Sequence, residues 1–264
     1  MSGLDAAQLL IVFDQQLRGS VPDRVPAGVQ VERDGPLVIF FGGEGGGFVD
    51  YRDLGEREGE EVDELIARCV RAFAERGERF EWKLYGHDRP ADLPQRLQAA
   101  GFVPEERETV VIAPVEIVAA AVRLPPGVGL REVTARADLD RIAAFEETVW
   151  ADDRGWLAGM LEAERAVDPD ALSIVVAESE GAIVCAGWVR FLRGTQFASL
   201  WGGSTLPEWR GQGIYRALTA ARARAALADG VRYINSDCTV MSRPILERSG
   251  LVAVTTTTPY VWKR

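Results

Sequence analysis

The stretch Thr205-Leu206-Pro207-Glu208-Trp209-Arg210-Gly211-Gln212-Gly213-Ile214-Tyr215-Arg216-Ala217-Leu218 decides how the C-terminal half of this chain is read. Phe197–Thr205 ahead of it has the composition of a strand. From Gly211 to Asp229 the sequence is rich in alanine and arginine and is closed by Gly230, which predicts a long helix. A short glycine-bearing loop thus links a strand end to a helix start. The first turn of a helix presents unpaired N–H groups at the positive end of its dipole, a geometry suited to a pyrophosphate. Glycine lets backbone approach phosphates without an intervening Cβ. Arg210 adds a charge-assisted contact or shapes the loop. Tight strand packing at a helix start would also ask for such glycines.

Outward from this loop the order is regular. Helices are expected at about 137–150, with Ile142, Ala143, Phe145 and Val149 on one face, and at about 155–166. The period then changes to strands at Leu172–Ser179 and Ala182–Leu192, joined by a Glu180-Gly181 turn. The pair Gly202-Gly203 interrupts the third strand and points to a bulge or a close backbone approach. After the long helix come a strand at Val231–Asp237, a helix at Ser242–Ser249 closed by Gly250, and a strand at Leu251–Trp262.

The N-terminal half follows a partial version of this order. A helix at about 5–18 precedes strands at 28–33, 36–42 and 47–53. A helix at 60–77 leads to Phe80–Leu84, a helix at about 92–100 and a strand at 102–112. Sliding the chain by 149 places Asp88 on Asp237, Leu97 on Leu246, Gly101 on Gly250, Val103 on Val252 and Thr109 on Thr258. With the shared element order, this supports a duplicated unit. The Pro/Gly-rich seam Leu124-Pro125-Pro126-Gly127-Val128-Gly129 divides the halves.

The loop Arg210-Gly211-Gln212-Gly213-Ile214 resembles the acyl-CoA loop of the GNAT superfamily of N-acetyltransferases, whose pattern is Arg/Gln-x-x-Gly-x-Gly/Ala. Pro207 upstream and Ala217-Leu218 downstream fit as well, and Pro244–Leu251 resembles the family's terminal helix and glycine turn. The resemblance implies an α/β (α+β) fold of two GNAT-like units, each a mixed, mostly antiparallel sheet flanked by helices. It implies a degenerate domain over 1–122 without a CoA loop and an acetyl-CoA-binding domain over 128–264. The implied cofactor set is Gly203, Ser204, Thr205, Leu206, Arg210, Gly211, Gln212, Gly213, Ile214 and Tyr215. The implied activity is acetyl transfer from acetyl-CoA to an amine of a small molecule or peptide. The alternative is a non-catalytic acyl-CoA-binding or regulatory module. Two positions depart from the family pattern. Tyr215 replaces a small residue, and Leu246 stands where the family often carries a tyrosine as general acid.

With that tyrosine missing, the acid–base candidates are Asp237, Cys238 and Ser242, and Glu146, Glu147, Asp152 and Asp153 at the helix ends. Asp237 and Ser242 are the first choices for catalysis, each also suited to capping a turn or helix. Trp150, Trp156 and Trp201 line an acceptor pocket or pack in the core.

In the N-terminal half, Phe41–Gly47 is dense in glycine but lacks the Lys-Ser/Thr ending of a phosphate loop, so it reads as a hairpin loop. Glu60, Glu61 and Asp63 open the helix equivalent to the CoA-binding one and would repel a pyrophosphate. Residues 1–125 carry a net charge of −9 and residues 126–264 only −1, with no basic face for nucleic acid. The acidic half suits a cationic partner or simply solubilises the chain. Cys69, Cys185 and Cys238 are too scattered for a disulfide framework or a zinc site, and the single histidine, His87, lies near no nucleophile elbow. No metal is expected. Without a signal peptide or a membrane-length apolar run, a cytoplasmic protein is the expectation.

Overall fold

The computed structural model describes residues 5–22, 24–43 and 46–263. Contacts divide them into two units, one running to Val110 and resuming at Val254, the other Val111–Ala253.

In the first unit Asp5 opens α1 (Ala6–Gln16) with a reciprocal capping box, its carboxylate accepting from Gln8 N–H and Gln8 Oε1 accepting from Asp5 N–H. Strands β1 (Gln30–Asp34), β2 (Leu37–Phe41) and β3 (Gly47–Asp50) pair antiparallel in sequence. Helix α2 (Glu60–Arg76) then crosses to β4 (Phe80–Tyr85), which lies parallel to β3. Val62, Leu65, Ile66, Cys69 and Phe73 form the buried stripe of α2 at helical spacing. They pack with Phe41, Phe80, Trp82 and Phe102. Short α3 (Leu93–Ala99) and β5 (Val103–Pro104) follow.

The second unit repeats this plan. After β6 (Glu108–Pro114), α4 (Val115–Val118) and β7 (Val128–Glu132) come α5 (Arg136–Trp150) and α6 (Trp156–Val167). Strands β8 (Leu172–Ser179), β9 (Ala182–Phe191) and β10 (Phe197–Thr205) pair antiparallel in turn. Helix α7 (Ile214–Ala228) crosses to β11 (Tyr233–Cys238), parallel to β10, before α8 (Arg243–Arg248) and β12 (Val252–Trp262). Both units thus run antiparallel pairings, two in the first and three in the second, then a crossover helix and one parallel pairing, as expected of a duplicated α/β unit.

The equivalence is closest around the short helices. Leu97 and Leu246 are both fully buried, and Gly101 and Gly250 both take left-handed backbone, with φ of 91° and 99°. Phe102 N–H donates to Leu97 O and Leu251 N–H to Leu246 O, the same helix-end bond in each half. The expected match of Asp88 with Asp237 does not hold. Asp237 lies within β11, whereas Asp88 lies in the turn after β4, because seven residues join β4 to α3 and only four join β11 to α8.

The unit boundaries differ from a cut at the Pro/Gly seam. Besides β3, the neighbour of β4 is β12, through Thr257–Trp262, a strand from the C-terminal end. The neighbour of β11 is β6, from before the seam. Each unit's run of strands is therefore completed by a strand from the other half of the sequence. The seam is not a bare linker either: Val128 and Gly129 already belong to β7. The long helix expected from Gly211 begins at Ile214.

Candidate functional site

Strands β10 and β11 pair at only three positions, Phe197–Ser199 with Tyr233–Asn235, and then part. On its other side β10 shifts register against β9 between Trp201 and Ser204. Gly202 sits at this break with φ +58°, and a Cβ there would fall 1.9 Å from the Trp188 ring. Glycine is required on both counts. The expected bulge is present.

Past Thr205, a single 3₁₀ turn at Pro207–Trp209 leads into the loop. Arg210 Nε donates to Thr205 O at 3.1 Å, so this arginine shapes the loop. Gln212 Nε2 donates to Glu208 O at 3.2 Å. Gly211 and Gly213 have φ of 76° and 82°, and a Cβ on either would meet nothing within 4 Å. Open space rather than packing thus surrounds both glycines. Gly213 is the N-cap of α7 and offers no side chain to its N–H groups, and no acid stands in the first turn. The first bond at this end runs from Ala217 N–H to Gly213 O, which leaves the N–H groups of Ile214, Tyr215 and Arg216 without an intrahelical partner. At α2 the equivalent turn holds Glu60, Glu61 and Asp63.

The Tyr215 ring turns inward. It lies against Gly203, where a Cβ would come 2.7 Å from ring carbon Cε2, and it packs on core residues of β9, β10 and α7. Burial pushes its hydroxyl pKa upward. It joins loop and strand, so the expected residues 203–206 and 210–215 meet at the C-terminal end of β10.

On the α5 side of β10, the buried carboxyl of Glu146 accepts at Oε2 from Ser204 Oγ at 2.9 Å and from Trp150 Nε1 at 2.8 Å. Its Oε1 is buried with no hydrogen-bond partner. Burial raises its pKa to about 7 against the two hydrogen bonds that stabilise the anion. Such a carboxyl is poised to exchange a proton near neutral pH. In the sequence Glu146 is one acid among several; its place beside Ser204 joins positions 58 residues apart. The only sequence signal was its position on the inner face of α5, where an acid interrupts the apolar stripe.

Glu147, Ala151, Asp152 and Asp153 line an open depression of about 410 Å³ at the α5–α6 turn. Glu147 Oε1 accepts from Arg154 N–H, and Asp153 Oδ1 from Gly155 N–H, so both brace the turn. Trp150, Trp156 and Trp201 are 41, 38 and 42 % exposed, unlike the core tryptophans Trp82 and Trp188. Ser242 stands at the N-cap position of α8 without capping it, and its hydroxyl engages Thr239. Asp237 is half-buried in β11. Leu246 is fully buried among Val111, Ala223 and Ile234.

Elsewhere, the three cysteines form no disulfide and are buried. His87 contacts Asp14, Arg18 and Thr255, with no serine beside it. Arg18 bonds Asp88, which also accepts from Tyr51 Oη at 2.6 Å. The glycine-rich run joins the antiparallel strands β2 and β3, with Glu44 and Gly45 lying outside the described residues. No helix among the described residues is long and apolar enough to cross a membrane.

Residues 137–244 match the acetyltransferase (GNAT) family model. No curated protein matches the chain. Among solved structures, a GCN5-related N-acetyltransferase from Kribbella flavida is similar with a TM-score of 0.69 and 17 % identity, over 99 % of this chain and 96 % of that one. A tandem GNAT protein from the clavulanic acid biosynthesis pathway is similar with a TM-score of 0.64 and 15 % identity, over 99 % of this chain and 90 % of that one. A GCN5-related N-acetyltransferase from Sphaerobacter thermophilus gives 0.60 and 15 %, over 97 % and 91 %. These likenesses establish a shared fold along the whole chain, and the likeness to the acetyltransferase (GNAT) family model lies in its C-terminal half, at residues 137–244.

Proposed function

We propose that the chain is an N-acetyltransferase that uses acetyl-CoA and acts on an amine of a small molecule or peptide. The observation that carries the reading is a buried carboxyl, Glu146, hydrogen-bonded to the strand that would hold the thioester. The pyrophosphate would lie on the N–H groups of residues 211–215, where two glycines face open space. The backbone of Gly203, Ser204 and Thr205, with Leu206, would hold the pantetheine arm at the parting of β10 and β11. Acetyl-CoA supplies the acetyl group as a thioester.

Glu146, ionised above about pH 7, takes the proton of the acceptor ammonium directly or through a water. As the amine's C–N bond forms and the C–S bond breaks, CoA leaves as a thiol, having gained a proton. Leu246 has none to give, and its burial closes that position to solvent. Ser242 and Asp237, after β11, are the candidates to relay that proton from water. Trp150, Trp156 and Trp201 would face the acceptor, with the acidic α5–α6 turn favouring a cationic one. The N-terminal unit would bind no CoA, because Glu60, Glu61 and Asp63 already complement its helix dipole.

The test is thiol release from acetyl-CoA across a panel of amines, with acidic and neutral acceptors as controls, beside calorimetric titration of acetyl-CoA. Acetylation that falls at least a hundredfold in Glu146→Gln supports the reading. Tight binding of acetyl-CoA with no acetylation of any amine would make the protein a binding or regulatory module instead.

A further inference from the structure

Arg222 lies in the middle of α7 and is entirely buried. Its charge faces the Tyr215 phenol and the Cys185 thiol, with no carboxylate among the groups acting on it, and burial lowers its pKa. A guanidinium in such surroundings needs its hydrogen bonds. Nη1 donates to Trp188 O at 3.1 Å and to Trp201 O at 3.0 Å, and Nη2 to Thr219 Oγ1 at 3.3 Å.

The two carbonyls are not arbitrary. Trp188 and Trp201 are register partners, the last regular pair of β9 and β10 before the shift at Gly202-Gly203. Both carbonyls therefore lie where the regular ladder ends. One nitrogen of Arg222 supplies both strands at that point. The surrounding glycines make room for it. A Cβ on Gly187 would come 2.7 Å from Nη1 and 3.0 Å from Cζ. Gly203 admits the ring of Tyr215, which lies two helical turns before Arg222 on the same face of α7.

We propose that Arg222 is a positioning residue for acetyl transfer: by holding the Trp188 and Trp201 carbonyls, it fixes the break in β10 and so aims the backbone N–H groups of 203–205 at the thioester carbonyl. This rests on the acetyltransferase reading above. The peptide that follows Trp201 O leads directly into Gly202 and Gly203, so its orientation sets theirs. A shift of about 1 Å in such donors lowers a rate about a hundredfold. The pyrophosphate loop begins beyond Thr205 and is braced separately by Arg210, so cofactor affinity does not depend on Arg222.

The experiment compares the full chain with Arg222→Met and Arg222→Lys. Circular dichroism reads the fold, and calorimetry reads acetyl-CoA affinity. Turnover is measured at saturating acetyl-CoA. The infrared band of the ¹³C-labelled thioester carbonyl in the bound state reports its polarisation. In folded Arg222→Met, Kd should stay within about threefold while kcat falls by about 10- to 100-fold and the carbonyl band returns toward its free frequency. Lysine, which keeps the charge but offers a single point donor, should fall between methionine and wild type. If methionine does not fold, a lysine variant with wild-type turnover and carbonyl band overturns the proposal. Folded Arg222→Met with unchanged kcat and band also overturns it, as does loss of turnover only in proportion to lost binding. Should the wild type bind acetyl-CoA and acetylate nothing, the function assigned above fails while the carbonyl band still reads this inference. A wild type that binds no acetyl-CoA overturns both.

Discussion

Replacing Glu146 by glutamine tests the buried carboxyl through two measurements that move in opposite directions. Burial raises its pKa from 4.5 to about 7. At about 1.4 kcal/mol per unit, that difference corresponds to about 3 kcal/mol. The folded state favours the neutral acid, so this stabilisation is fully present below pH 4.5 and is lost as the pH rises through 7. Glutamine has the same shape and does not titrate. Its amide falls where Oε1 already lacks a partner, a penalty that does not vary with pH. Urea unfolding followed by tryptophan fluorescence at pH 5 and pH 8 therefore isolates the titration. Glu146→Gln should gain about 2–3 kcal/mol on the wild type between those pH values. Activity should behave in reverse, because only the ionised carboxylate accepts the amine proton. Wild-type kcat/KM should rise about tenfold per pH unit below pH 7, and that limb should vanish in the variant with a loss of about 10²–10⁴. Stability curves that stay parallel with pH, or an acidic limb that survives in Glu146→Gln, would refute the reasoning.

The Gly213→Trp variant should remain folded, since a side chain there enters open space at a cost of about 1–2 kcal/mol for the left-handed backbone, yet lose acetyl-CoA binding. An unchanged calorimetric titration would move the site elsewhere. Residues 128–264 produced alone lack β6 and the buried Val111, Ala113, Val115 and Val118, which pack with Ala223 and Leu246, so they should unfold without a cooperative thermal transition. A sharp transition matching the full chain would contradict the strand exchange. Leu246→Tyr should destabilise by about 1–3 kcal/mol through overpacking and leave kcat no higher, because the position is fully buried; a rise in kcat would show that the hydroxyl reaches the leaving thiolate. Ser242→Ala should lower turnover by about tenfold or less, checked by thiol release, since water can replace a hydroxyl that engages only Thr239.

Features set by neighbours along the chain were legible in the amino-acid sequence. Apolar spacing over Ile142–Val149 marked a helix, and the change of period with the Glu180-Gly181 turn marked the strands β8 and β9. The glycines at 211 and 213 marked the loop because left-handed backbone is a local demand that few other residues meet. The break at Gly202-Gly203 was visible for the same reason. What depends on contacts between distant segments was not. Glu146 reads as one acid in a row of acids until β10 brings Ser204 against it and burial moves its pKa. Arg222 reads as one of several arginines on an alanine-rich helix; only the packed sheet turns it inward onto two carbonyls at the break in the ladder. The Pro/Gly seam marks where the chain turns, but the units end elsewhere, at Val110 and Ala253. Strand pairing is a choice between partners, and β6 and β12 carry similar local preferences whichever sheet they join. Tertiary packing alone decided that β12 pairs with β4 and β6 with β11, because backbone hydrogen bonds and buried apolar area are summed over the whole fold.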